Sequence, residues 1–155
     1  LEVCGRNEIE IDKVYLDGGP FFAFGPLLKT FLSKKFWNIC IRIRQNPDAA
    51  VKKINEFFPG IGNIMLDVCS HMKKESMKNL SYACFTYKFP KINEEKQKSI
   101  AFMYGTKETA RKCIFRLKRY KCSRIVRRQG YNHCGYLLSH PKEYAQMLRK
   151  PISAS

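Results

Sequence analysis

The spacing of apolar residues changes along this chain from strand-like to helical and back again. Residues 12–18, DKVYLDG, are a short apolar run closed by Asp17-Gly18-Gly19-Pro20, the way a buried strand stops. Val14, Tyr15 and Leu16 within it are good strand formers. Residues 24–36, FGPLLKTFLSKKF, read as a helix with Pro26 in its first turn and Leu27, Leu28, Phe31 and Leu32 as the apolar stripe. The pattern then stays helical to about residue 88. FWNICIRIRQ breaks at Asn46-Pro47-Asp48, and Val51, Ile54 and Phe58 recur before Pro59-Gly60. Ile64, Met65, Val68, Cys69 and Met72 share one predicted face, and Met77, Leu80 and Cys84 another.

Residues 89–98, FPKINEEKQK, read as a polar loop, after which the strand signal returns. SIAFMYG is almost continuously apolar, as expected of a strand covered on both faces. TKETARKCIFRLKRY reads as a helix capped by Thr106, with Ala110, Cys113, Ile114 and Leu117 at helical spacing. SRIVRRQG is a further short strand. HPKEYAQMLRK is a helix with Pro141 at its first position and Tyr144, Met147 and Leu148 facing inward. The order strand, helices, strand, helix, strand, helix predicts an α/β fold with about three parallel core strands. The helical stretch between the first two strands exceeds what a βαβ crossover needs, and is expected to be an insertion. The expected division is therefore 1–20 with 99–155 as core, and 21–98 as the helical insertion.

The opening LEVCGRNEI resembles the tail of a helix running into a left-handed Gly5, so the chain is expected to start inside an element of a longer protein. No basic segment followed by an apolar run marks a secretory signal. No apolar run reaches the roughly 18–20 residues needed to span a bilayer, so no membrane partner is expected. Seven cysteines, at 4, 40, 69, 84, 113, 122 and 134, form no CxxC pair. They read as reduced thiols of a cytoplasmic protein, and neither a metal site nor a cofactor is expected.

Charge adds one open feature. With 29 Lys and Arg against 13 Asp and Glu, the 155 residues carry a formal charge of +16. Residues 107–128 hold ten basic residues and one acid, Glu108. No helix-turn-helix, zinc-finger or RNP-type motif accompanies them, so the expected reading is a solvated lysine-rich surface rather than a nucleic-acid partner.

The candidate chemistry lies at strand ends, where ligands sit in open α/β sheets. Glu108 follows the SIAFMYG strand and His133 follows SRIVRRQG. A carboxylate within reach of an imidazole would hold one tautomer and stabilise the charged form. The pattern AFMYGTKETA and then IVRRQGYNHCGYLLSHPKEYAQML resembles the last two strand–loop units of an alpha/beta hydrolase, well over residues 99–149 and loosely over the whole chain. The resemblance implies that Gly130-Tyr131-Asn132-His133 is the histidine turn, with Glu108 the acid in place of the commoner Asp; Asp17, which also sits at the carboxyl end of a strand, is the alternative acid. It also implies that 21–98 is a cap whose Phe21, Phe22 and Trp37 line the acyl side of the substrate pocket; a packed core is the other reading of these residues. No Gly-x-Ser-x-Gly elbow occurs in the chain. The expected protein is thus the C-terminal part of a serine hydrolase acting on ester or related acyl bonds. Its nucleophile would lie upstream of Leu1, and the piece would be inactive alone. Its expected partners are a small acyl substrate and either the missing N-terminal half or a second copy. The alternatives are a non-catalytic α/β binding module, with the basic segment 111–121 on an anionic partner, and a pseudoenzyme.

Overall fold

The computed structural model describes residues 1–6, 8–58, 60–150 and 152. In chain order the elements are β1 (Val14–Asp17), α1 (Pro26–Gln45), α2 (Pro47–Phe57), α3 (Gly62–His71), α4 (Lys74–Phe85), α5 (Glu94–Lys98), β2 (Ile100–Gly105), α6 (Ile114–Leu117), β3 (Arg124–Arg128), α7 (Gly135–Ser139) and α8 (Pro141–Arg149). Single 3-10 turns cover Val3–Gly5 and Thr109–Cys113. Residues 1–21 with 88–155 form one compact unit, and residues 22–87 form another.

The first unit is built on a three-stranded parallel sheet of order β1-β2-β3. The central strand explains its own apolar sequence. Ile100, Ala101, Phe102, Met103 and Tyr104 are each 1% exposed or less, because β2 is paired on both edges and covered on both faces. Phe102 meets Phe21 edge-on at 5.8 Å and stacks on Tyr120 at 6.2 Å. Helix α8 is tied to the sheet through side chains rather than strand pairing. The Tyr15 hydroxyl donates to the carbonyls of Met147 and Lys150, closing the carboxyl end of the helix. Tyr144, Met147 and Leu148 are its half-buried positions, as the spacing predicts.

The second unit is helical. Cys40, Ile43 and Cys69 form its buried centre, with Trp37, Ala50, Ile54, Leu66 and Met77 packed around them. The Cys40 and Cys69 sulfurs lie 3.4 Å apart, and burial together with the Cys40 contact pushes the Cys69 thiol up to about 11. Arg44 donates to the carbonyls of Cys69 and Met72, so one guanidinium closes the end of α3. Where this unit begins and ends, Ala23 and Thr86 form an isolated antiparallel bridge, flanked by hydrogen bonds from Phe24 N to Phe85 O and from Tyr87 N to Phe22 O.

Several expectations are corrected. The two stretches read as separate helices meeting near Phe36 are one 20-residue α1, since no Gly or Pro interrupts residues 27–45. Its buried residues are Ser33, Cys40 and Ile43, while Leu27, Leu28 and Phe31 of the predicted stripe are exposed, Leu27 at 88%, and Leu32 is half-buried. On α3 the buried residues are Gly62 and Cys69, while Ile64, Met65 and Val68 are exposed. The 89–98 stretch contains α5, capped by Asn93, whose Oδ1 accepts from Lys96 N at 2.8 Å. It packs with the sheet unit, so residues 88–98 belong there rather than to the insertion. Asn93→Ala is expected to lower stability by about 1 kcal/mol in equilibrium unfolding, and an unchanged midpoint would refute the cap. The 106–120 helix is a 3-10 turn leading into α6, and Thr106 does not cap it, because its hydroxyl accepts from Gly130 N. Gly5 closes a 3-10 turn without entering the left-handed region. Asn7 of the opening stretch and Pro59, expected to end α2 with Gly60, lie outside the described residues.

Candidate active site

Parallel pairing brings the carboxyl ends of all three strands to one edge of the sheet. The turn after β2 is then fastened to the loop after β3. Thr106 N donates to Arg128 O at 3.0 Å, Lys107 N to Tyr131 O at 2.9 Å, and Gly130 N to Thr106 Oγ1 at 2.8 Å. Gly130 takes φ +84 and Cys134 takes φ +55, which lets the loop turn back on itself between them. These bonds fix where residues 108 and 133 stand.

Glu108 and His133 are in contact, with Oε1 2.6 Å from Nδ1. The other carboxylate oxygen, Oε2, accepts from Gly105 N at 3.1 Å, so both oxygens are engaged. The Glu108 side chain is 2% exposed and the His133 side chain 50% exposed. The acid is therefore enclosed while the imidazole reaches the surface, and its Nε2 has no partner among the described residues. Glu108 occupies the residue before the Thr109–Cys113 turn but makes no side-chain bond to that turn. Two glycines make room for the pair. A Cβ on Gly18, at φ +64, would overlap the His133 ring and approach Glu108 Oε1, and one on Gly105 would overlap the Tyr131 carbonyl.

Asp17, the alternative acid, ends β1 on the same edge, and its Oδ2 accepts from the Tyr144 hydroxyl at 3.0 Å. Burial raises its carboxyl above the usual carboxylate range, with the Tyr144 bond opposing. The hydrogen bond to Glu108 raises His133 above the usual histidine range; partial burial opposes this, and the charges of Glu108 and Asp17 add to it. The folded imidazolium is thus favoured relative to the unfolded chain. Its stabilisation is present below the unfolded value near 6.5 and is lost as pH rises through the higher folded value. The stability lost in His133→Gln should accordingly be larger at about pH 5.5 than at about pH 8.5 in urea unfolding. An equal or opposite difference would contradict the pairing.

The residues expected to line a substrate pocket pack within their own units. Phe21 is a core side chain of the sheet unit, against Phe89 and Phe102, and its carbonyl accepts from Arg116. Phe22 stacks on Phe24 at 4.9 Å within the helical unit, and Trp37 packs on the Cys40–Ile43–Cys69 centre beneath the Arg44 guanidinium. Phe21 does not line the small cleft of its own unit bounded by Asp17, Arg128, Tyr131 and Tyr144. His140 bonds the Tyr131 hydroxyl through Nε2, and His71 meets Asp67 on the exposed face of α3. Ser70 and Ser81 donate to carbonyls of their own helices. Among the described residues no cluster of His, Cys, Asp and Glu could hold a metal ion, and no helix is long and apolar enough to cross a membrane.

Sequence reasoning missed the supports: Gly18, Gly105, and the Tyr144 hydroxyl on Asp17. The glycines had a signal, because each closes a stretch predicted as strand at a point where chemistry is also expected. No protein-family model, curated protein or solved structure matches this chain.

Proposed function

We propose that this chain supplies the acid and the histidine of a serine-hydrolase relay of the alpha/beta-hydrolase type, acting on ester or related acyl bonds. The observation that carries the reading is the Glu108 Oε1–His133 Nδ1 contact of 2.6 Å, at the carboxyl ends of adjacent parallel strands, with Nε2 turned away from it. A buried carboxylate on Nδ1 keeps that nitrogen the donor and leaves Nε2 as the base. In this reading Nε2 takes the hydroxyl proton of a serine as its oxygen attacks the acyl carbon. The imidazolium beside Glu108 then hands that proton to the departing alcohol. Water repeats the sequence on the acyl-enzyme, regenerating the serine and releasing the acid. In this reading the serine lies outside residues 1–155 on a Gly-x-Ser-x-Gly elbow, with one oxyanion donor on the residue after it and the other on an earlier loop. The helical unit 22–87, entering between β1 and β2, takes the part of a cap.

A fluorophosphonate probe tests the reading on the protein encoded by the complete gene. Covalent labelling at one serine, abolished in His133→Ala, is the expected result. Labelling that is absent, or indifferent to His133, would overturn it.

A further inference from the structure

Away from the relay, the segment between β2 and β3 has an inner and an outer face. Cys113, Leu117 and Tyr120 are buried and anchor the inner one. The outer face carries Phe115, 68% exposed. Arg111 and Lys112 precede it by four and three residues, Lys118 and Arg119 follow by three and four, and all four are exposed. Side chains three apart eclipse in a 3-10 turn, and those three or four apart are neighbours in an α-turn. Lys118 keeps helical angles of −56° and −15°, so Lys112 and Lys118 fall on the Phe115 side of the segment, one before it and one after.

These charges lack local compensation. The sequence has no Asp or Glu from 109 to 142. None of Arg111, Lys112, Lys118 and Lys121 forms an ion pair among the described residues, while Arg119 lies over the Phe89 ring at 5.1 Å. Exposed phenyl surface and adjacent like charges are each unfavourable in water. A ligand that is anionic along its length and presents flat apolar faces relieves both. We propose that this face binds single-stranded nucleic acid, its phosphates meeting the flanking cations and a base stacking on Phe115. Paired bases would offer the ring no open face. A lipid surface is the poorer fit, because interfacial binding needs a broad apolar face and this one presents a single ring.

Fluorescence anisotropy of the complete protein with an oligothymidylate of about 12 nucleotides tests the proposal. Binding should weaken with salt, log K falling by about 0.7 per phosphate contact against log salt. Phe115→Ala should weaken binding roughly tenfold or more without changing that slope. Lys112→Ala with Lys118→Ala should reduce the slope by about 1.4. All three positions are exposed, and unchanged circular dichroism would show that the variants fold. Any of three results would overturn the proposal: no saturable binding at low salt, a Phe115→Ala variant that binds as wild type, or tighter binding to phosphatidylserine vesicles than to the strand at equal salt.

Discussion

Under the proposed relay, Glu108→Gln should lower kcat of the complete protein about ten-thousandfold while leaving its fold in place. The reason lies in the second carboxylate oxygen. Oε2 accepts from Gly105 N, and only the carbonyl oxygen of a glutamine can take over that bond. The amide nitrogen must then face His133 Nδ1 and donate to it, which places the imidazole proton on Nε2. The base is lost although every heavy atom stays where it was. Because the Gly105 bond survives, the unfolding free energy at about pH 8.5 should change by no more than about 1 kcal/mol. Hydrolysis of an ester by the variant within tenfold of wild type would show that Glu108 does not orient His133, even if the fold is of the proposed kind.

Gly105→Ala should destabilise the sheet unit by about 3–5 kcal/mol, from overpacking together with the loss of one backbone hydrogen bond and of the Glu108–His133 contact. Gly105 is buried, and the atoms a methyl group would strike are the main-chain carbonyl groups of Tyr131 and Asn132, which cannot swing aside as a side chain would. Making room means moving the 131–135 turn away from β2, which breaks the Lys107 N–Tyr131 O bond and pulls His133 from Glu108. Gly130→Ala provides the contrast. At φ +84 with open space around its Cβ, it should cost only the left-handed strain of about 1–2 kcal/mol. Equilibrium urea unfolding of the two variants side by side decides the matter. Equal losses would mean that the β2–loop approach is not tight.

Sequence legibility followed how many constraints each residue obeys. β2 was plain because burial on both faces leaves only apolar residues, and α8 because a proline start and three inward positions agree. The helical unit was harder to orient. α1 carries apolar residues on more than one face, so spacing alone could not say that Leu27 and Phe31 are exposed while Cys40 and Ile43 are enclosed. Thr106 misled for another reason: its hydroxyl had two possible customers, and the one it serves, Gly130 N, is 24 residues away. At the site, Asp17 stays the alternative to Glu108 on sequence grounds, since both stand at strand ends. Only the register of three strands separates them, giving Glu108 the contact with Nδ1 and leaving Asp17 with Tyr144.

The Ala23–Thr86 bridge has a consequence for engineering. An antiparallel bridge holds its two Cα atoms about 5 Å apart, so the chain departs for the helical unit and comes home at nearly the same point. Loop closure is therefore settled locally, whatever lies between. Residues 24–85 make an exchangeable cassette: a tight turn of about two residues, such as Asn-Gly, spans the same gap. So does another helical module whose termini lie side by side. Swapping the cassette would vary what the helical unit contributes while the strand register that seats His133 is left untouched.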